Sequence, residues 1–293
     1  MSQLPGQYPG PEEPATHPLP PAHGYQYELA APVAVQPRRA NRGLLGYLTA
    51  LALAVFGYLK YAFILFKAVP FLPTIITLLI SFYIYAQWQG PAFAGGLVGM
   101  ILIHEMGHVV EIRRQGMKAT APIFIPFLGA AIFQRSHPQD ALRQAQIGIA
   151  GPLLGTVGAT AAYALYGSTH WFPLLLAAWL GFYINLFNLI PFGMLDGGWI
   201  LAPVSKWFQL LGIALLALVT IFGHLNPLIY ILIIASIPSI YSRFRHADHP
   251  YYRSVSTRGK VGMGAAWLVL AIFLGLATNL AGGELSSLYH YRS

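Results

Sequence analysis

Eight apolar stretches, most of them close to 20 residues long, dominate this chain from residue 44 onward. A helix of about 20 residues is long enough to cross the ~30 Å hydrocarbon core of a bilayer. Only 9% of the residues are charged, against roughly 25% in a typical soluble domain. The pattern therefore predicts an all-α polytopic membrane protein. The stretches are 44–67, 71–88, 91–113, 145–166, 171–193, 208–222, 227–242 and 261–281.

The first stretch differs from the others because Lys60 and Lys67 interrupt it. If it does not cross and the N-terminus is cytoplasmic, only Arg292 of the 17 Lys and Arg residues lies outside. If it crosses, either the basic cluster at 38–42 or most later basic residues become external, against the positive-inside rule. We therefore expect about seven transmembrane helices, with 44–67 as an interfacial or re-entrant segment.

Residues 1–37 are rich in Pro, Gly, Ala and Gln. This composition cannot bury a core, and it predicts a disordered, Pro-rich cytoplasmic tail; a docking arm for a partner is the alternative. The remaining predicted divisions are an interfacial or re-entrant segment at 38–70, a transmembrane domain at 71–282 and a short tail at 283–293.

The apolar stretch 91–113 contains the sequence His104-Glu105-Met106-Gly107-His108. Two histidines four residues apart lie on one face of a helix, about one turn apart, which suits two Zn²⁺ ligands. The chain has no cysteine, so any metal must use His, Asp or Glu. Glu105 is positioned to take a proton from a water that the metal activates. The alternative is a short polar patch that lines a helix–helix contact.

Catalytic zinc sites usually have three protein ligands, so a third must come from elsewhere. Asp196 ends an apolar stretch, whereas the other two aspartates lie in polar connections. The predicted topology brings Asp196 and the two histidines to the same cytoplasmic depth, and Pro191 with the glycines around it would let Asp196 turn inward. Asn188 could donate to a developing oxyanion. The alternatives are a helix-cap or interfacial role for Asp196 and an interhelical hydrogen bond for Asn188.

Residues 121–133 are apolar but too short for a spanning helix, and Pro122, Pro126 and Gly129 interrupt them. Irregular backbone at membrane depth is tolerated where it is buried in protein or lines a cavity. We expect a short re-entrant hairpin beside the site, with an open edge that could pair with an extended substrate strand. A plain amphipathic loop is the alternative.

Taken together, the motifs resemble those of the site-2 protease family of intramembrane zinc metalloproteases. The matches are His104-Glu105-x-x-His108 and Asn188-Leu-Ile-Pro191-Phe-Gly-Met-Leu-Asp196-Gly197. Phe124-Ile-Pro126-Phe-Leu-Gly129 is similar to the family's re-entrant strand region, and Ala150-Gly151-Pro152 to its A-G-P turn. The family often has an Asn shortly after A-G-P, whereas Leu153, Leu154 and Gly155 follow here. The resemblance covers about residues 91–200.

The resemblance implies a three-helix catalytic core at 91–200 that holds Zn²⁺ through His104, His108 and Asp196. It implies Glu105 as the general base, with Asn188 assisting, and cleavage within or beside a transmembrane segment. The residues that it implies for substrate binding are Phe124, Pro126 and Gly129. The expected partners are a transmembrane protein substrate and the lipid bilayer, and a homo-oligomer is compatible. We expect a multi-pass protein of a bacterial plasma membrane, with the N-terminus and active site toward the cytoplasm; an organelle membrane is the alternative.

Two other functions use the same residues. A zinc-binding membrane transporter would carry further polar residues along several crossings, and few are present outside the two motifs. A non-proteolytic relative that binds transmembrane helices would be expected to lack the motif's glutamate, and Glu105 is present. The net charge of +8 does not indicate a nucleic-acid binder, because the basic residues are spread along membrane boundaries.

Overall fold

The computed structural model describes residues 43–68, 71–132, 137–223 and 228–290. The predictions for the tail at 1–37 and the basic cluster at 38–42 fall outside these residues. Contacts divide the chain into two units, Met1–Phe56 and Gly57–Ser293. In the first unit, residues 43–56 are described, and they include the beginning of helix α1. All later elements belong to the second unit.

The described residues form ten helices and one two-stranded hairpin. The helices are α1 (Leu44–Ala68), α2 (Leu72–Gln89), α3 (Pro91–Arg114), α4 (Ala141–Thr169), α5 (Phe172–Asn188), α6 (Asp196–Leu201), α7 (Phe208–Gly223), α8 (Leu228–Arg245), α9 (Pro250–Arg253) and α10 (Thr257–His290). The strands are β1 (Ile123–Ile125) and β2 (Gly129–Ala131), which pair antiparallel.

The longer helices follow the predicted apolar stretches closely, with two informative differences. α10 runs on to His290, past the expected end at residue 281. α5 ends at Asn188 rather than near residue 193. A helix continued through Pro191 would lose a backbone hydrogen bond and place the proline ring against the carbonyl four residues earlier. The chain leaves the helix here, before the segment that carries Asp196, whereas α4 continues through Pro152.

Among the residues that the structure describes, four helices are long and apolar enough to cross a membrane, which confirms a mostly helical membrane protein. They are Leu44–Tyr61, Pro91–Arg114, Ala141–Thr169 and Thr257–Leu288. Phe172–Asn188 and Phe208–Leu218 are shorter apolar helices. The first span falls in the stretch that we expect not to cross. The count of about seven crossings and the re-entrant character of 44–67 and of the hairpin stay predictions.

Helices α3, α4 and α5 pack closely against one another, and small residues lie at each contact. A Cβ atom at Gly107 of α3 would overlap the carbonyl of Ala150 on α4. A Cβ at Gly96 of α3 would lie 3.1 Å from the Cα of Ala177 on α5, and a Cβ at Gly181 of α5 would lie 2.8 Å from the Cβ of Ala159 on α4. Close approach of backbones through small residues is how helices associate within a membrane. The three helices thus form one rigid support.

Hydrogen bonds from the backbone of the hairpin to side chains of α2 hold the hairpin against that helix. The Phe124 N–H donates to Thr77 Oγ1 (3.1 Å), and the Phe127 N–H donates to the Tyr85 hydroxyl (2.7 Å). Phe127 lies at the turn with a φ of 68°, which is unusual for a bulky residue. The Tyr85 hydrogen bond and edge-to-face ring contacts with Tyr85 and Trp88 hold it there. A hairpin therefore forms where a plain loop was the alternative.

Candidate metal centre

Three side chains from two helices converge at one point. His104 and His108 lie one turn apart on α3, and Asp196 is the first residue of α6; all three are buried. His104 Nε2 lies 3.1 Å from Asp196 Oδ2, and His108 Nε2 lies 3.4 Å from Asp196 Oδ1. The two Nε2 atoms are 3.1 Å apart. The structure thus brings together the three residues expected to be ligands, across more than 80 residues of sequence.

Hydrogen bonds on the far side of each imidazole set its tautomer. His108 Nδ1 lies 2.8 Å from the Ile147 carbonyl oxygen, which can only accept, so Nδ1 carries the proton. His104 Nδ1 lies 2.8 Å from Asn185 Oδ1 and donates to it. When neither ring carries a second proton, both present an unprotonated Nε2 to the Asp196 carboxylate. Partners of this kind orient metal-binding histidines in proteins.

With neutral imidazoles, the converging atoms are all electron-pair donors. Asp196 Oδ2 is buried and accepts no hydrogen bond from any residue that the structure describes. A cation among these atoms would bring their lone pairs to one centre. Tetrahedral ligands at ~2.0–2.1 Å from Zn²⁺ lie about 3.3 Å from each other, and the short separations here, which involve both oxygens of Asp196, are 3.1–3.4 Å. Two imidazoles and one carboxylate are a donor set of catalytic zinc sites. Zn²⁺ fits this site.

Glycines on one face of α4 leave room for these side chains. A Cβ at Gly151 would overlap the imidazole of His108. A Cβ at Gly148 would lie 3.3 Å from the backbone carbonyl oxygen of Asp196. The glycine of the A-G-P sequence therefore has a direct steric reason in this chain. The imidazole of His108 packs against the backbone of α4 at Gly151, where a side chain would collide with it.

The loop before and after Asp196 is held by Gln209 of α7. Gln209 Oε1 accepts a hydrogen bond from the Gly193 N–H (2.8 Å), and its Nε2 donates to the Gly198 carbonyl (3.2 Å). Gln209 is buried. Gly193 adopts a positive φ of 40°, which suits glycine. One side chain thus bridges the two sides of the turn that presents Asp196.

Replacing Gln209 by leucine should therefore loosen Asp196. The change leaves the Gly193 N–H and the Gly198 carbonyl buried without a partner, at about 1–3 kcal/mol each. We expect lower metal affinity and a lower unfolding temperature, measured by chelator competition and thermal denaturation. Gln209→Glu keeps an acceptor for the Gly193 N–H, so its metal affinity and unfolding temperature should lie between those of the original protein and those of Gln209→Leu. Unchanged metal affinity in Gln209→Leu would contradict this account.

Two cavities meet at the metal centre. The first, about 300 Å³, extends from His104 and Glu105 to the hairpin turn and the end of α5. The second, about 330 Å³, extends from the same two residues over His108 and Asp196. Glu105 is buried and lines both cavities. The Glu105 carboxylate therefore lies between the first cavity, which could hold a peptide, and the His104, His108 and Asp196 side chains that line the second.

The other residues expected in the site are spread around these cavities. Asn188 lines both, and its Nδ2 donates to the Ile184 carbonyl of its own helix (3.0 Å). Gly129 lines the first cavity. The Phe124 side chain is only 3% exposed and packs in an apolar cluster, and Pro126 is not among the residues that line either cavity. The roles of these residues stay predictions.

Two residues of this site were not singled out from the sequence, namely Asn185 and Gln209. Asn185 is fully buried and contacts His104. A polar side chain inside an otherwise apolar helix is itself a signal of function, and Asn185 carried that signal. Gln209 lies at the start of α7, and no local pattern distinguishes it from an interfacial residue.

Comparison with known proteins supports the same region of the chain. Residues 92–172 match the model of peptidase family M50. The match confirms the resemblance to the site-2 protease family. It covers α3, the hairpin and α4, with His104, Glu105 and His108, and it ends before Asp196. The structure therefore brings Asp196, the third expected ligand, to the two histidines of the segment that the family comparison covers.

Two curated relatives are similar to part of the chain. A protein of Arabidopsis thaliana, named a probable chloroplastic zinc metalloprotease, is 27% identical over 154 residues, which cover 36% of this chain and 28% of that protein. A zinc metalloprotease of Methanocaldococcus jannaschii is 29% identical over 150 residues, covering 46% of this chain and 43% of the relative. The matched region is thus less than half the length of either relative.

Proposed function

We propose that this protein is an intramembrane zinc metalloprotease that hydrolyses peptide bonds within or beside transmembrane segments. The observation that carries the proposal is the convergence of His104, His108 and Asp196, whose nitrogen and oxygen atoms approach to 3.1–3.4 Å in the buried core. The position of Glu105 at the junction of both cavities supports proteolysis over simple metal binding. The M50 match and the names of the two relatives support the same chemistry.

Each residue of the site has a distinct task in this proposal. His104, His108 and Asp196 would hold Zn²⁺, and the bound ion would supply a Lewis acid to the peptide carbonyl and the attacking water. Glu105 takes the proton from that water and later gives it to the leaving amine. Asn188 turns its amide from Ile184 toward the developing oxyanion. The low dielectric of the buried site strengthens each of these interactions.

The hairpin provides a surface on which a substrate can be held in extended form. β2 pairs with β1 on one side, and no strand in the described part of the chain pairs with its other side. Gly129 and Ala130 of β2 line the first cavity beside Glu105. A substrate helix must unwind before its backbone can pair with this edge. We therefore expect transmembrane substrates whose helices are weakened by Gly or Pro.

We propose a bacterial plasma membrane as the location, with the N-terminus and the site toward the cytoplasm. The distribution of basic residues supports this orientation, since it leaves only Arg292 of the 17 Lys and Arg residues outside. The partners are then a transmembrane protein substrate and the bilayer, and a homo-oligomer is compatible with this arrangement.

Metal removal tests the proposed function directly. We expect the purified protein to bind about one zinc per chain, because one set of three ligands is present in the described residues. Chelation should abolish cleavage of a transmembrane substrate with a Gly- or Pro-weakened helix, and added Zn²⁺ should restore it. The measurements are elemental analysis and a cleavage assay in detergent or in reconstituted bilayers.

Two results would contradict the proposal. Cleavage that survives complete zinc removal would belong to a contaminating protease. Zinc binding without cleavage of any transmembrane substrate would favour the transporter or the non-proteolytic relative.

A further inference from the structure

Asn185 is a fully buried amide in the middle of the helical core. A buried polar group is costly unless its hydrogen bonds are made. Asn185 uses both ends of its side chain: Nδ2 donates to the Gly181 carbonyl (2.7 Å), and Oδ1 lies 2.8 Å from His104 Nδ1. The side chain therefore links α5 directly to a residue of the metal centre.

The Gly181 bond decides which way the amide faces. A carbonyl oxygen can only accept, so the Asn185 NH₂ group must point to it and the amide oxygen must point to His104. That oxygen in turn requires the proton of His104 on Nδ1, which leaves Nε2 free for a metal. The backbone of α5 thus fixes the tautomer of His104 through one side chain.

The two histidines are oriented in different ways. His108 donates to a backbone carbonyl, that of Ile147, and no substitution removes that acceptor. His104 depends on a side chain from another helix. A single substitution, at Asn185, can therefore remove the hydrogen bond that orients His104.

Gly155 of α4 provides the space that Asn185 occupies. A Cβ atom on residue 155 would overlap the oxygen and lie within about 2.5–2.8 Å of the nitrogen and carbon of the Asn185 amide. This is the position shortly after Ala150-Gly151-Pro152 where the sequence has no asparagine. An amide from α5 fills the volume beside it, so the two residues form a pair.

We propose that Asn185 is the positioning residue for His104 and that Gly155 is glycine because it must accommodate this amide. The inference rests on the proposed function, since it takes His104 as a metal ligand. Asn185 holds the imidazole with Nε2 directed at Asp196 and stabilises the tautomer that binds metal. The same helix leads into the loop of Asp196, so α5 positions two of the three ligands.

The test compares zinc affinity in three variants of the full-length protein. Asn185→Leu removes the acceptor, Asn185→Asp keeps an oxygen toward His104 at the same size, and Thr156→Val is the control. Thr156 is buried one residue from Gly155, and its hydroxyl donates to the Pro152 carbonyl of its own helix (2.6 Å). Affinity is measured by chelator competition, together with the absorption spectrum of bound Co²⁺ and the unfolding temperature of the metal-free protein.

We expect Asn185→Leu to bind zinc about 10–100-fold more weakly and to alter the Co²⁺ spectrum. Asn185→Asp should stay within a few-fold of the original protein, and Thr156→Val should be unchanged. Equal zinc affinity in Asn185→Leu would overturn the inference. An equal loss in the leucine and aspartate variants, with a matching fall in the unfolding temperature of the metal-free protein, would also overturn it, because the role would then be structural.

A double-mutant cycle tests the pairing with Gly155. Gly155→Ala should weaken zinc binding while Asn185 is present, and should add little in an Asn185→Ala background. Additive losses would overturn the pairing. If the unaltered protein binds no zinc, the proposed function itself fails. If it binds zinc tightly and substitution of Asn185 leaves the affinity unchanged, this inference alone is refuted.

Discussion

Replacing Glu105 by glutamine is expected to slow peptide hydrolysis by a factor of about 10²–10⁴ without releasing the metal. Glutamine has the same shape but cannot hold a proton taken from water. The side chain of residue 105 is not one of the three that converge on the metal, so its replacement leaves the ligand set intact. The measurement is cleavage of a transmembrane substrate, with zinc content determined on the same preparation.

Glu111→Gln is the matched control. Glu111 lies on the same helix and is also buried, but it lines neither cavity and accepts hydrogen bonds from Arg114 and Gln115. We expect unchanged cleavage and at most a modest loss of stability. Normal cleavage by Glu105→Gln, or equal losses in the two variants, would show that Glu105 is not the general base.

Replacing Gly151 by alanine is expected to disrupt the metal centre although Gly151 contributes no ligand. The added methyl would overlap the imidazole of His108. Moving α4 away from α3 would break the close packing of the two helices, in which Gly107 of α3 lies against the backbone at Ala150. His108 must therefore rotate or shift, and a displacement of about 1 Å costs on the order of 100-fold in activity. We expect lost cleavage and much weaker zinc binding, measured by chelator competition.

Gly167→Ala in the same helix separates this effect from a general response to substitution. A Cβ at Gly167 meets nothing within 4 Å. Alanine favours a helix interior over glycine by about 1 kcal/mol, so this variant should keep its zinc and unfold at the same or a slightly higher temperature. If Gly151→Ala also binds zinc normally, the contact between α4 and His108 is not what positions the ligand.

The sequence alone was sufficient for the parts of this protein that depend on local spacing. Long apolar runs predict membrane helices because a bilayer requires length and apolarity, and the structure has helices over those runs. His104 and His108 share a helix face because four residues make about one turn. Pro191 follows the end of α5, where its ring and missing N–H disfavour a continued helix, although α4 continues through Pro152 and α8 through Pro238.

Two independent patterns in the sequence agree in placing Asp196 near the histidines. The basic residues set the depth of each helix end, and the end of the apolar stretch that carries Asp196 shares the depth of the His-Glu motif. That argument predicts proximity, and it cannot yield the 3.1–3.4 Å separations of the donor atoms. The number of crossings depends on the bilayer itself and stays a prediction.

The tertiary structure alone decided which side chains support the ligands. Asn185 contacts His104, Gly151 lies under His108, and Gln209 bridges the loop of Asp196. Each contact joins different elements, so neither helical periodicity nor motif spacing contains it. The physical reason is close packing: small residues bring α3, α4 and α5 within backbone contact, and the faces that then meet determine which polar groups find partners.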